Sequence, residues 1–252
     1  QSPPGITRAA WSAEEEIAAD AVRRFSREAG LSLASDPFGN LQIVPAGQGF
    51  DARAITSGSH MDTVPHGGNY DGLAGVAAGL AIVAAARASG SRLPFRAVAM
   101  RCEESPWFRS AYLGSRLMLG VSSIEELGPV TRTDTGRTLA EHMHELGYPR
   151  SGEPRGPRLT PQNTAAFFEL HIEQGPLLQE GGVSVGIARA IRGNVRFPNA
   201  RCIGAYAHSA ALPRRFRRDA VLAVSELALA LDAYWQRRIE QGDDHFVATV
   251  GK

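Results

Sequence analysis

The chain has 252 residues, enough for one large domain or two smaller ones, and 43% of them are hydrophobic, so a buried core is within reach. Its 27 basic and 26 acidic residues leave a net charge of +1, which argues against nucleic acid or an anionic membrane as a partner. Two cysteines are too few for a disulfide framework, and the N-terminal residues lack the apolar segment of a signal peptide, so we expect a soluble cytoplasmic protein.

The first part of the chain predicts alternating helices and strands. Ser12 followed by Glu15 is the pattern of a capping box, and Gly30 can end the helix that begins there. The predicted apolar face of this helix has a spacing of four residues: Ile17, Ala21, Phe25 and Ala29. Strands are then predicted over 31–35, 41–44 and 54–60, a buried helix over 72–90 and a buried strand over 95–104.

The alternation continues with a helix over 106–120, short helices around 123–128 and 138–147, and a strand over 166–175, which indicates an α/β layered core. After about residue 183 the pattern changes. Residues 183–193 and 194–208 alternate like half-exposed antiparallel strands, and residues 245–252 begin another strand. A long helix is predicted after Pro213, with one apolar stripe: Val221, Val224, Leu227, Leu231 and Trp235. This part predicts a small α+β second domain.

The glycine-rich segment 58–72 carries several groups that can bind a metal. His60 ends an apolar run, where strands of α/β proteins present side chains to ligands. Asp62 shares its face in an extended chain, so its carboxylate could fix the tautomer of a metal-bound His60. Asp71 could bridge two cations, since glycines allow the chain to return toward His60. The alternative is a turn in which Asp71 only caps the next helix.

Two more predicted strand ends carry candidate ligands. Glu103 and Glu104 are adjacent, so their side chains should point different ways, and one could bind a metal while the other acts as general base. An exposed acidic strand end is the alternative. His171 follows four mostly apolar residues, and alone it would more often be structural. Two imidazoles and two carboxylates at strand ends suit a zinc-type hydrolytic site: His60, Asp71, Glu104 and His171.

The remaining histidines have weaker contexts. His208 lies between a predicted strand and a helix, where it could donate to a substrate carbonyl or oxyanion; a surface loop histidine is the alternative. His142 and His144 are interpreted as part of a solvated helix face.

Four segments, in this order, resemble the two-metal amidohydrolases of the hydantoinase/carbamoylase type: GSHMDTVPHGGNYDG, EES with LGSR, ELHIEQGP, and AHS with RRDA. This group includes N-carbamoyl-L-amino-acid hydrolases, allantoate amidohydrolases and β-ureidopropionases, and it is related to the aminoacylase and dipeptidase metallopeptidases. The resemblance implies a metallopeptidase-like catalytic domain, a mixed sheet flanked by helices, over residues 1–190. Residues 191–252 would begin a smaller α+β lid domain through which a homodimer forms.

The same resemblance implies two divalent metal ions. One would be bound by His60, Asp71 and His171, and the other by Asp71, Glu104 and a histidine from the C-terminal part of the family. Zinc is the expected metal, and manganese, cobalt and nickel accept the same ligands.

The resemblance also implies roles for residues that do not bind metal. Glu103 would be the general base for a metal-activated water, Gln174 would line the substrate site, and His208 would polarise the scissile carbonyl. Asp62 would assist catalysis through His60. The substrate would be a carbamoyl (ureido) amide such as an N-carbamoyl amino acid or an allantoate-like compound.

Two segments depart from the family. Ser105–Phe108 replace the usual Gly-x-Arg-Phe, and AHSAALP replaces AHAGTTP, so the exact substrate stays open. Family members continue past the equivalent of Lys252, so we expect a truncated chain with an incomplete site. The alternatives are an aminoacylase or dipeptidase of the same chemistry, and an inactive homologue that acts as a binding or dimerisation module.

Overall fold

The structure is a computed structural model that describes residues 5–149, 156–191, 193, 195–197, 199–243 and 245–251. It divides after residue 180 into two compact units. This division precedes the predicted boundary at residue 190, and the identity of the second unit as part of a lid domain stays a prediction.

A five-stranded mixed sheet forms the centre of the first unit. Its strands are β1 (Leu31–Ser35), β2 (Leu41–Pro45), β3 (Ala54–His60), β4 (Phe95–Met100) and β5 (Thr164–Phe168), in the spatial order β1-β2-β4-β3-β5. The first two pairings are antiparallel, whereas β3 lies parallel to both β4 and β5. The carboxyl ends of these three parallel strands therefore meet at one edge of the sheet. This arrangement confirms the predicted α/β class with a mixed sheet flanked by helices.

The helix α1 (Ala13–Glu28) begins where predicted, because the Ser12 side chain accepts a hydrogen bond from the Glu15 N–H. The predicted apolar face is wrong, since Ile17 is 70% exposed and Phe25 is 40% exposed. The buried face instead consists of Glu15, Ala19, Val22 and Ser26. A charged side chain can occupy this face because Glu15 forms an ion pair inside the protein with Arg101.

The helix α2 (Leu73–Ala88) covers one face of the sheet and packs on β2, β3 and β4. Gly75 permits the close approach, since a Cβ there would lie 2.6 Å from the Ser59 Cβ and against the Leu170 carbonyl. This packing places the N-terminal end of α2 beside the last residues of β3.

The predicted helix over 106–120 is wrong as a single element. It is two short helices, α3 (Ser105–Phe108) and α4 (Leu113–Met118), separated by Arg109 at φ 53° and Tyr112 at φ 64°. The chain breaks there because Tyr112 N–H donates to the Glu103 carbonyl and Leu113 N–H donates to the Cys102 carbonyl. These bonds tie the second helix to the segment that leaves β4.

Three more short helices complete the first unit: α5 (Ile124–Leu127), α6 (Leu139–Glu145) and α7 (Leu177–Glu180). In α6 the interpretation of His142 as solvated is wrong. Its side chain is buried, contacts the Phe108 ring edge-on and lies 2.8 Å from the Thr135 hydroxyl. A paired imidazole can thus occupy a core position next to the exposed His144.

The second unit contains a 3₁₀ turn (Arg214–Phe216) and one long helix, α8 (Ala220–Glu240), as predicted after Pro213. The stripe predicted on it is largely exposed, with Val221 at 74% and Leu227 at 56%. The strands predicted over 183–193, 194–208 and 245–252 do not form in the described residues of these ranges. A strand needs a hydrogen-bonded neighbour, and the described part of this unit supplies none. No helix among the described residues has the length and apolarity that crossing a membrane requires.

Candidate metal centre

His60 is the last residue of β3, and its imidazole is 1% exposed. Its Nδ1 lies 3.0 Å from the Asp62 main-chain carbonyl and 3.4 Å from the Asp62 carboxylate. In the neutral form of the ring, which a metal ligand must adopt, these contacts place the proton on Nδ1, so the Nε2 lone pair faces the Asp71 Oδ1 at 3.6 Å. Both of these atoms are buried, and neither makes a hydrogen bond of regular geometry among the described residues, although His171 Nε2 lies 3.0 Å from the Asp71 Oδ1. Two buried electron-pair donors facing each other fit a shared cation.

Asp71 reaches this position through a tight turn at Gly72. Gly72 has φ 69° and ψ −53°, and the Leu73 N–H donates to the Asp71 carbonyl at 2.8 Å. This is the geometry of a γ-turn, which a residue with a Cβ adopts only under strain. A Cβ at Gly72 would also lie 2.6 Å from the His60 Nδ1. The alternative role of Asp71 as a helix cap is wrong, because its carboxylate oxygens face Gln174 and the two imidazoles of His60 and His171 instead of the first N–H groups of α2.

His171 and Gln174 follow β5 and approach Asp71 from the other side. His171 Nδ1 lies 2.9 Å from the Ile172 carbonyl, and its Nε2 lies 3.0 Å from the Asp71 Oδ1. Gln174 Nε2 donates to the Asp71 Oδ2 at 2.8 Å. One oxygen of Asp71 therefore faces both imidazoles, while the other is held by an amide. Oδ1 is therefore the oxygen that a cation could share with the two imidazoles.

Glu103 and Glu104 follow β4 and are both half-buried. Their backbone N–H groups donate to the two carboxylate oxygens of Asp62, at 3.0 and 3.1 Å respectively. Asp62 thus differs in part from its predicted role. Its carbonyl is the nearest partner of His60, and its carboxylate holds the backbone of both glutamates.

The predicted ligands fall into two groups: His60, Asp71 and His171 form one, and His60 and Glu104 form the other together with Glu103, the predicted general base. Within each group the possible ligand atoms lie within 4.8 Å of one another. Imidazole nitrogens and carboxylate oxygens are both common ligands of divalent metal ions, so these side chains fit such an ion. The roles assigned to the individual residues stay predictions.

The pKa values record an excess of negative charge around His60. Burial lowers the pKa of His60, but its contact with Asp62 and the charges of Glu103 and Glu104 outweigh this and raise it to about 9. Burial, followed by the charges of Glu103 and Asp62, raises the pKa of Glu104 to about 7. Burial is also the main cause of the raised pKa of Glu103. A bound cation would offset this repulsion between carboxylates.

A mostly apolar groove of about 640 Å³ begins beside Glu103 and Glu169. Met100 lines it, whereas Ala97 and Ala99 of the same strand belong to the core that includes α2. Glu103 therefore lies where the polar centre meets an apolar surface, which accounts for the effect of burial on its pKa.

The structure also places residues that the sequence analysis missed. The Ser59 hydroxyl donates to Glu169, a further carboxylate whose charge acts on Glu103. Arg8 is buried, and its Nε donates to the Met61 carbonyl at 2.8 Å, between His60 and Asp62. Glu169 stands two positions before His171, and this spacing could have indicated that it belongs to the site. No local sequence pattern indicates that Arg8 does. His208 belongs to the second unit, where its Nδ1 accepts from the Ala210 and Ala211 N–H groups; its substrate role stays a prediction.

Residues 56–248 match the family model described as peptidase family M20/M25/M40. The chain is 37% identical to an N-carbamoyl-L-amino acid amidohydrolase of Geobacillus stearothermophilus, over 92% of this chain and 56% of that protein. It is 33% identical to an allantoate amidohydrolase of Escherichia coli, over 88% of this chain and 54% of that protein. The chain therefore spans little more than half the length of these relatives.

A solved amidase of the hydantoinase/carbamoylase family from Burkholderia multivorans has the same fold over most of the chain. The TM-score is 0.68 and the sequence identity 27%, with 94% of this chain and 56% of that chain covered. The likeness agrees with the resemblance found in the four sequence segments.

Proposed function

The chain belongs to peptidase family M20/M25/M40, and from this we propose that it serves in the metal-dependent hydrolysis of a linear, non-peptide C–N bond. The proposed substrate is a carbamoyl amide, as in N-carbamoyl amino acids or allantoate. Relatives with 37% and 33% identity carry the names of such amidohydrolases, which supports this choice. The observation that carries the proposal is the approach of two imidazoles to one carboxylate oxygen: His60 Nε2 lies 3.6 Å and His171 Nε2 lies 3.0 Å from the Asp71 Oδ1.

The proposed cation ligands follow from the two groups of side chains. His60, Asp71 and His171 form one group and would hold one divalent ion. Glu104 belongs to the other group, and the family resemblance assigns it, with Asp71, to a second ion. When bound, such ions supply Lewis acidity that lowers the pKa of water and polarises a carbonyl. Zinc suits the set, and manganese, cobalt and nickel accept it as well.

Glu103 is the proposed general base. Its carboxylate lies 4.0 Å from the His60 Nε2 and its side chain is 29% exposed, so water can reach it. Its raised pKa brings proton exchange closer to neutral pH. Glu103 would accept a proton from the attacking water and pass it to the departing nitrogen. Hydrolysis of R–NH–CO–NH₂ with one water then yields the amine R–NH₂, ammonia and carbon dioxide.

The other residues hold the reacting groups in place. Asp62 fixes the orientation of His60 and the backbone of both glutamates, and Gln174 holds Asp71. His208 is proposed to donate to the scissile carbonyl; one such donor is typically worth about 2.7–4 kcal/mol. We further propose that residues 191–252 belong to a lid domain through which two copies pair, and that the protein works in the cytoplasm.

Ammonia release from N-carbamoyl amino acids and allantoate tests the reaction, with N-acyl amino acids and dipeptides as comparison substrates. We expect release only from the ureido compounds, only with divalent metal, and not after EDTA treatment. The Glu103→Gln variant keeps the shape of the side chain and should lose turnover while still binding metal.

The competing functions give different results in the same assay. Faster cleavage of N-acyl amino acids or dipeptides would identify an aminoacylase or dipeptidase. Metal binding without cleavage of any of these substrates would favour a binding or dimerisation module.

A further inference from the structure

The segment that leaves β4 is held by side-chain oxygens at four successive backbone N–H groups. The donors are Arg101, Cys102, Glu103 and Glu104, and the acceptors in the same order are Asn40 Oδ1, Glu15 Oε1, Asp62 Oδ1 and Asp62 Oδ2. The distances are 2.9, 3.4, 3.0 and 3.1 Å. Cys102 has φ 49°, a left-handed conformation that is unfavourable for a residue with a side chain. Such strain persists where the surrounding contacts over-determine the backbone.

Glu15 and Arg101 form the buried part of this support, and both side chains are 0% exposed. Arg101 Nη1 donates to the Glu15 Oε2 at 2.7 Å, and Arg101 Nε donates to the Gly39 carbonyl at 2.9 Å. Its Nη2 donates to the Tyr148 hydroxyl at 3.0 Å and also to Glu16. The three guanidinium nitrogens thus all have acceptors, which fixes the start of the segment.

A buried ion pair is weak evidence for stability, because desolvation offsets much of its attraction. The location of this pair suggests a different use. Arg101 stands two residues before Glu103, and Glu15 accepts from the N–H of Cys102 between them. Asp62 holds the following two N–H groups, so the two carboxylates Glu15 and Asp62 together define the path of the segment.

We propose that Glu15 and Arg101 are positioning residues that set the location of Glu103 and Glu104 relative to His60. The inference rests on the proposed function for its metal readout. With the segment on this strained path, the ligand atoms of His60, Glu103 and Glu104 lie within 4.8 Å of one another. Helix α1, which is far from this site in sequence, would thus control the geometry of the metal centre.

The test compares Glu15→Gln and Arg101→Lys with a matched control, Arg96→Lys. Arg96 lies in β4, near the end opposite to Arg101, is 1% exposed, and donates to the Ala52 and Asn163 carbonyls. All three variants should lower the melting temperature. Glu15→Gln and Arg101→Lys should also weaken Co²⁺ binding by about 10–100-fold, the usual effect of removing groups that support metal ligands. Arg96→Lys should leave the Co²⁺ dissociation constant unchanged.

Amide hydrogen exchange of the metal-free chain provides a second readout. The two positioning variants should speed exchange of the N–H groups of Cys102, Glu103 and Glu104 more than that of the central strand residues. In Arg96→Lys, exchange of these three N–H groups should rise no more than that of the central strand residues. Glu15→Gln is nearly isosteric, so it carries the test if Arg101→Lys does not fold.

Two results would overturn the inference: equal loss of Co²⁺ affinity in Arg96→Lys, or exchange at residues 102–104 that rises no more than in the rest of the sheet. If the unsubstituted chain binds no Co²⁺, the proposed function fails, and amide exchange alone decides the positioning role.

Discussion

Replacing Gly72 by alanine should damage the metal centre through backbone strain and a steric clash with His60. The new Cβ would contact the His60 carbonyl and lie 2.6 Å from the His60 Nδ1, and it would have to accept φ 69°. A left-handed φ costs a residue with a Cβ about 1–2 kcal/mol, and overpacking adds about 1–3 kcal/mol. We therefore expect Gly72→Ala to lower the free energy of unfolding by about 2–5 kcal/mol.

Gly136→Ala is the matched control for this substitution. Gly136 has the same φ of 69°, but an added Cβ there would meet no atom within 4 Å. In urea denaturation, Gly136→Ala should lower the free energy of unfolding by only the cost of the left-handed φ, about 1–2 kcal/mol. Metal titration should show weaker binding in Gly72→Ala and unchanged binding in Gly136→Ala. Equal unfolding free energies and equal affinities in the two variants would refute the argument that the turn at Gly72 shapes the site.

Two further predictions concern stability. Zinc at a free concentration of about 100 times its dissociation constant should raise the free energy of unfolding by about 2.7 kcal/mol. EDTA or the substitution His171→Ala should abolish this gain. An equal gain in His171→Ala would mean that zinc binds elsewhere. Burial, then the charges of Arg132 and Arg137, lowers the pKa of His142 from its ordinary value of 6.5. The unfolded chain therefore binds this proton more readily, and His142 should reduce stability as the pH falls below about 6.5. His142→Gln should lose less melting temperature between pH 7.5 and 5.5 than the unsubstituted chain, and parallel losses would contradict this.

Elements with a strong local signal were predictable from the sequence. The strands Leu31–Ser35 and Ala54–His60 have the predicted bounds, and α1 begins after the predicted cap at Ser12. The buried face of α1 was not predictable, because it depends on an ion pair between residues 86 positions apart. The capping-box spacing distinguishes Glu15 from the acidic residues beside it, but nothing local indicates that its side chain is buried.

The candidate site was predictable to the level of which residues converge. Strand ends identified His60, the two glutamates and His171, because parallel strands present their carboxyl ends at one edge. The contacts that orient these residues were not predictable. The Asp62 carboxylate binds backbone N–H groups of a different strand end, and the break at Tyr112 depends on a bond to the Glu103 carbonyl. Such contacts are tertiary, and neither leaves a periodic pattern in the sequence.

Anomalous scattering from crystals grown with zinc tests the central claim most directly. The account predicts a peak about 2.0–2.2 Å from His60 Nε2, His171 Nε2 and an oxygen of Asp71. Zinc bound at other side chains, with these three atoms still facing one another without it, would contradict the proposed metal centre.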